Sequence, residues 1–103
     1  MKLFYSKKLE LTDGDSVIIP INKGLVGDVS TTELWVYSED GNYEIETTIG
    51  ENVTNDITKG IDMNNFALAD TASEHRMLYI ISDATSIKIT ASGDTTLEVK
   101  VLY

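Results

Sequence analysis

The sequence of 103 residues contains no cysteine, which excludes a disulfide scaffold, a thiolate metal site and a cysteine nucleophile. Such a chain suits a reducing compartment, or an extracellular setting that does without disulfides. Histidine occurs once, as His75 in "SEHRM". No G-x-S-x-G turn presents a serine, so a catalytic triad has no frame, and His75 between Glu74 and Arg76 reads as a solvated residue. Zinc needs a set of His, Cys and carboxylate ligands that this chain does not offer. Phosphate-loop and dinucleotide fingerprints are missing as well. Asp13 and Asp15 in "TDGDS" are oxygen ligands of the kind calcium takes, but the EF-hand loop is not matched, and two aspartates around a glycine make a turn. We therefore expect no catalytic residue, no metal, no cofactor, and a protein that is not an enzyme.

Long apolar runs are also missing. Nothing approaches the roughly 18 residues that cross a bilayer as a helix. The opening "MKLFYSKKLEL" has neither a long apolar core nor a small-residue cleavage site, so no signal peptide is expected. Positive charge is scarce, with eight Lys and Arg against seventeen Asp and Glu, for a net charge of −9. Nucleic-acid binding requires clustered cations that displace counterions from phosphates. Only Lys2, Lys7 and Lys8 cluster, so neither nucleic acid nor an anionic membrane is an expected partner. Residues 28 to 56 carry eight acids and no base, an imbalance that serves solubility at the least.

What the sequence does have is alternation. Short runs rich in Val, Ile, Thr and Tyr are punctuated by "TDGD", "NKG", "EDGN", "IGEN", "TKG" and "SGD" at spacings of about ten residues, the pattern of a sandwich or barrel. Strands are expected near 2–11, 16–22, 31–38, 42–49, 76–82, 85–91 and 95–102, with a weaker one near 53–58. The stretch 62–75 reads as one helical turn or a long loop. The expected fold is a single all-β domain over 1–103, an antiparallel β-sandwich of jelly-roll or immunoglobulin-like type with about seven or eight strands; the alternative is a small β-barrel. "RMLYIIS" (76–82) is apolar almost without alternation, as in a strand covered on both faces. "SVIIPIN" (16–22) is similar, but Pro20 cannot donate to a ladder and marks an edge or a strand end.

Two hairpins are expected. Asp40-Gly41 between alternating strands is a strong turn signal, because a type I′ turn needs positive φ at both central residues. That loop sets Val36 opposite Ile45 and Leu34 opposite Thr47 on one face. On the other face it pairs Tyr37 with Glu44 and Trp35 with Glu46. "SGD" (92–94) as a three-residue loop pairs Ile89 with Leu97 and Ile87 with Val99, with Lys88 opposite Glu98 toward solvent. The quartet Trp35, Tyr37, Glu44 and Glu46 is the candidate interaction face. Flat rings beside carboxylates stack on sugars, and Trp and Tyr are also common interface anchors; cover by the chain's own strands is the third possibility.

The chain opens almost directly into strand ("MKLFYSKKLEL") and runs in strand to its last residue ("ATSIKITASGDTTLEVKVLY"), with short Thr/Asn/Asp-rich strands between. In that texture, over the whole chain, it resembles the small β-sandwich accessory proteins of tailed bacteriophage virions, which decorate capsids or sit on tails. No single motif carries the resemblance, and no site residue follows from it. It implies a structural subunit that binds capsid or tail through sheet edges and terminal segments. On this reading the protein is a homo-oligomer or docks on a larger protein assembly, located in a virion assembled in host cytoplasm or otherwise in the cytoplasm. Lys7 and Lys8 of one copy would meet the acidic middle of the next. The alternative is a carbohydrate- or ligand-binding module that uses the Trp35/Tyr37 face.

Overall fold

The computed structural model describes residues 2–21, 31–39, 42–49, 53–57, 60–64, 67–69, 75–82 and 84–103, with backbone alone at 49, 53–57, 67–69 and 82. Among these residues the chain forms ten strands and no helix. They are β1 (Leu3–Leu11), β2 (Ser16–Pro20), β3 (Thr31–Ser38), β4 (Tyr43–Ile49) and β5 (Val53–Ile57), followed by β6 (Gly60–Asp62), β7 (Ala67–Ala69), β8 (Arg76–Ser82), β9 (Ser86–Ala91) and β10 (Thr95–Leu102). Sheet A has the order β1-β10-β3-β8-β6-β7, and sheet B the order β2-β9-β4-β5. The two sheets are separate, so the fold is a sandwich and not a closed barrel.

The pairing is nested. β1 pairs with β10, β2 with β9, β3 with β8 and β4 with β5, all antiparallel. The chain is thus one long two-ply ribbon, doubled back at β4–β5 and rolled so that successive pairs fall alternately in sheet A and sheet B. β10 then zips to β3 and β9 to β4. This is jelly-roll topology, a double sheet made from interlocked Greek keys.

The first corner of the roll shows how local sequence permits it. The register that pairs Leu11 with Thr95 is the one that pairs Ser16 with Thr90, so the ribbon passes from sheet A to sheet B with no residue inserted on either ply. At the bend, Asp15 N–H donates to the Thr12 carbonyl at 2.9 Å, and Gly14 takes φ +86°. A side chain rarely tolerates that φ at the third position of a turn, and glycine does. Across the ply, Gly14 N–H donates to Ala91 O at 2.9 Å, Ala91 N–H to Asp15 O at 2.8 Å and Asp13 N–H to Asp94 Oδ1 at 3.1 Å.

The two sheets face each other through alternate residues. Sheet A contributes Leu34, Val36, Met77, Tyr79, Ile81, Leu97, Val99 and Val101, and sheet B contributes Ile19, Tyr43, Ile45, Ile87 and Ile89, all buried. Each such side chain contributes about 1.5–3 kcal/mol relative to leaving it in water. Two tyrosines meet in this layer, with hydroxyl oxygens 3.2 Å apart across the sheets (Tyr43 and Tyr79). Burial pushes both phenols up from their ordinary range, because neither can ionise without water. Gly60 is buried against Tyr79 and Met77: a Cβ there would lie 2.7 Å from Met77 Cε and 2.8 Å from Tyr79 Cε1. Only glycine lets β6 approach β8 so closely.

Several expectations change. The strands near 2–11, 16–22, 31–38, 42–49, 53–58, 76–82, 85–91 and 95–102 are all present, but neither expected hairpin forms. β3 and β4 lie in different sheets, as do β9 and β10. Val36 therefore pairs with Val99 and Met77, not Ile45, and Ile89 pairs with Val17 and Ile45, not Leu97. Turn residues at 92–94 mark a corner of the roll, and Asp40-Gly41 lies outside the described residues. The stretch 62–75 contributes the end of β6 and all of β7, strands too short to show alternation. An Asx-type contact, Asn64 N–H to Asp62 Oδ1 at 2.8 Å, turns the chain after β6. β8 is not covered on both sides: Met77, Tyr79 and Ile81 point inward, while Ile80 is 50% exposed. Pro20 does end an edge strand, as a residue without an N–H should.

Candidate functional site

Strand alternation gives sheet A an outer face as well defined as its inner one. Leu34 and Val36 turn inward, so Glu33, Trp35 and Tyr37 turn outward from β3. Register then fixes their neighbours. Trp35 sits between Lys100 of β10 and Leu78 of β8, and Tyr37 between Glu98 and Arg76. Beyond Leu78 comes Ile61 of β6. The Trp35 indole Nε1–H donates to Glu33 Oε2 at 3.2 Å, two residues back on the same strand, which limits the ring's rotation. The Arg76 guanidinium carbon lies 5.5 Å from the centroid of the Tyr37 ring, within cation–π range.

These side chains enclose a shallow depression of about 280 Å³, lined by Trp35, Tyr37, Met63, Arg76, Glu98 and Lys100. Met63 is brought there by its own N–H, which donates to Arg76 O at 2.9 Å and extends the pairing of β6 with β8. Around the depression Tyr37 is 37% exposed, and Trp35, Leu78 and Ile61 are half-buried. At the β1 end of the same sheet Leu3 and Phe4 are exposed, the Phe4 ring 4.8 Å from that of Tyr103.

Glu44 and Glu46 do not join this face. They project from β4 on the outer side of sheet B, Glu44 opposite Thr90 and Glu46 opposite Lys88. Their expected partnership with Trp35 and Tyr37 assumed that β3 and β4 share a sheet. Because the chain passes to the other sheet between them, the outward faces of the two strands point in opposite directions. Lys7 and Lys8 separate too, being adjacent on a strand. Lys8 faces outward opposite Glu98, whereas Lys7 pairs with inward-facing Val99 and is exposed at the sheet edge. A lysine in that place blunts an edge strand against unwanted pairing.

The remaining chemistry-bearing residues make local hydrogen bonds. His75 Nδ1 lies 3.0 Å from the Ser38 carbonyl, which only accepts, so that nitrogen carries the proton. Ser38 N–H donates back to the His75 carbonyl at 2.7 Å, extending the β3–β8 ladder. Asp15 accepts from both the backbone N–H and the hydroxyl of Thr12, and these bonds to the charged form lower its pKa from 3.8. No group of three or more His, Cys, Asp or Glu is placed to hold a metal among the described residues. No helix there is long and apolar enough to cross a membrane.

Arg76, Glu98, Lys100 and Met63 are the residues that sequence reasoning missed at this site. Arg76, Glu98 and Lys100 stand on strands that reach β3 only through the nested pairing, and Met63 directly follows β6, so strand order was the one signal that places them. No family model, no curated protein and no solved structure matches the chain.

Proposed function

We propose that this protein is a non-enzymatic interaction module, a subunit of a larger protein assembly, that docks through the outer face of sheet A. The observation that carries the reading is the lining of the depression, where Trp35, Tyr37, Met63 and Arg76 stand beside Glu98 and Lys100. Aromatic residues, methionine and arginine are the types enriched in the centres of protein interfaces, with lysine and glutamate displaced to the edge. The jelly-roll topology is compatible with a virion accessory protein, for capsid decoration or on a tail, as the sequence's resemblance suggests; topology alone assigns no function. In that setting the protein works within a virion assembled in host cytoplasm.

The test is Trp35→Ala. A central interface tryptophan is expected to carry about 2 kcal/mol or more of binding, so affinity for the assembly falls roughly thirtyfold. The unfolding midpoint stays close to wild type, because the ring is half-exposed and outside the core. A variant that binds as well as wild type removes the reading. Rings beside a carboxylate also favour a second reading, a saccharide stacked on Trp35 and Tyr37 with Glu98 accepting from its hydroxyls. Titration of tryptophan fluorescence with a sugar panel separates the two, since a docking face for protein gives no saturable response.

A further inference from the structure

We infer that the sheet A face is built to receive the sheet B face of a second copy of this chain. The inference rests on the reading just given, that the outer face of sheet A is a docking surface, and names what docks there. It starts from cross-strand register. On sheet A, Tyr37, Glu98 and Lys8 lie side by side on β3, β10 and β1. On sheet B, Ile18, Lys88 and Glu46 lie side by side on β2, β9 and β4. The first row reads aromatic, negative, positive; the second reads aliphatic, positive, negative. Both rows advance one strand at a time, about 4.8 Å per step. One row therefore lies on the other residue for residue: Ile18 against Tyr37 at the mouth of the depression, Lys88 against Glu98, and Glu46 against Lys8.

Two further features favour this occupant. Ile18 is the most exposed large hydrophobic residue among those described, at 63%. It has a polar neighbour, Lys88, in the next strand and no cover of its own, and an aromatic depression supplies that cover. A specific interface also needs about 800 Å² per partner, and the outer faces of a molecule measuring 38 × 28 × 22 Å are of that order. A net charge of −9 makes copies repel at long range. At roughly 0.15 M salt the Debye length is about 8 Å, so distant acids are screened while charges in contact keep most of their attraction. The contact is heterologous. Each copy that docks leaves its other face open, and because the faces lie on opposite sides of the sandwich, copies add in a column.

The experiment is sedimentation velocity over a concentration series at about 0.15 M salt, with thermal unfolding to confirm that each variant folds. Wild-type mass is expected to climb past the dimer as concentration rises. Glu98→Lys alone and Lys88→Glu alone each set like charges face to face, and each lowers the association constant about tenfold or more. Mixing the two single variants in equal amounts restores wild-type association, because every contact between unlike copies again pairs opposite charges. The double variant Glu98→Lys/Lys88→Glu does the same. A monomeric wild type, growth that stops at a dimer, single variants that associate normally, or a mixture that fails to recover overturns the inference. A monomeric wild type that still docks on another assembly through Trp35 overturns this inference alone. Self-association untouched by Trp35→Ala overturns the docking face itself.

Discussion

Sheet A and sheet B are alike inside and unlike outside. Toward each other both present aliphatic side chains from alternate positions, with one tyrosine apiece meeting at the hydroxyls. Away from each other they diverge. Sheet B shows Ser16, Thr90, Glu44, Ser86 and Thr48 around Lys88 and Glu46, with Ile18 and Pro20 at its edge. Sheet A, widened by β6 and β7, shows Trp35, Tyr37, Leu78, Ile80 and Ile61 among a few charges. The difference teaches that one ribbon, paired by one nested scheme, builds an outer surface of mainly small polar and charged residues on one sheet and one carrying aromatic and large apolar residues on the other. The inner layer supplies the fold, and it is indifferent to which outer face carries which.

That indifference is the easiest part to break. Leu97→Ala in sheet A and Ile87→Ala in sheet B each empty a fully buried position. Both are expected to lower the free energy of unfolding by about 2–5 kcal/mol, to a similar extent, as measured by urea denaturation. A large inequality would show that the sheets do not share one core. Gly60→Ala tests the strand that widens sheet A. Its methyl group meets Met77 Cε, which can move, and the Tyr79 ring, which is held by its neighbour Tyr43. A loss of about 1–3 kcal/mol is expected, with no counterpart in sheet B.

A smaller effect has the opposite sign. Thr32 in sheet A is fully buried, and among the described residues its hydroxyl has no hydrogen-bond partner. Thr32→Val removes an unsatisfied polar group at constant shape and is expected to stabilise by about 1 kcal/mol. Chemical denaturation of the wild type and the variant checks the sign. The smallest effect concerns the corner that joins the sheets. The Asp15 carboxyl has a native pKa below its ordinary 3.8. On acidification the unfolded state takes up this proton first, so the stabilisation is complete above pH 3.8 and is lost as pH falls through the lowered native value. Acid unfolding of Asp15→Asn should lack that component, and a wild-type carbon resonance titrating at 3.8 or higher would refute the corner contact.

Much of this was legible in the sequence, and the illegible part has one physical origin. Alternation says which face a residue takes, so Leu34, Val36, Ile45, Ile87, Ile89, Leu97, Val99 and Val101 could be placed in the core and Trp35 and Tyr37 outside it. Alternation is silent about which strand lies alongside. "SGD" meets the steric demand of a sharp change of direction, and a corner between sheets makes the same demand as a hairpin. Pairing Trp35 with Glu46 followed from placing β3 and β4 in one sheet, and so did overlooking Arg76 and Lys100. β6 and β7 went unseen because three residues carry no period.

The nested pairing also governs how the chain reaches its native state. Only β4–β5 and β6–β7 join strands that are close in sequence; β1 and β10, which end with Lys2 and Tyr103 exchanging backbone hydrogen bonds at 2.8 and 3.0 Å, bring together the most distant segments of all. Closing so large a loop is entropically unfavourable until the intervening strands are gathered. Refolding should therefore be slow for a domain of this size, in the millisecond-to-second range. The rate should respond most to substitutions near β4–β5, while changes in β1 should mainly alter how fast the ribbon comes undone.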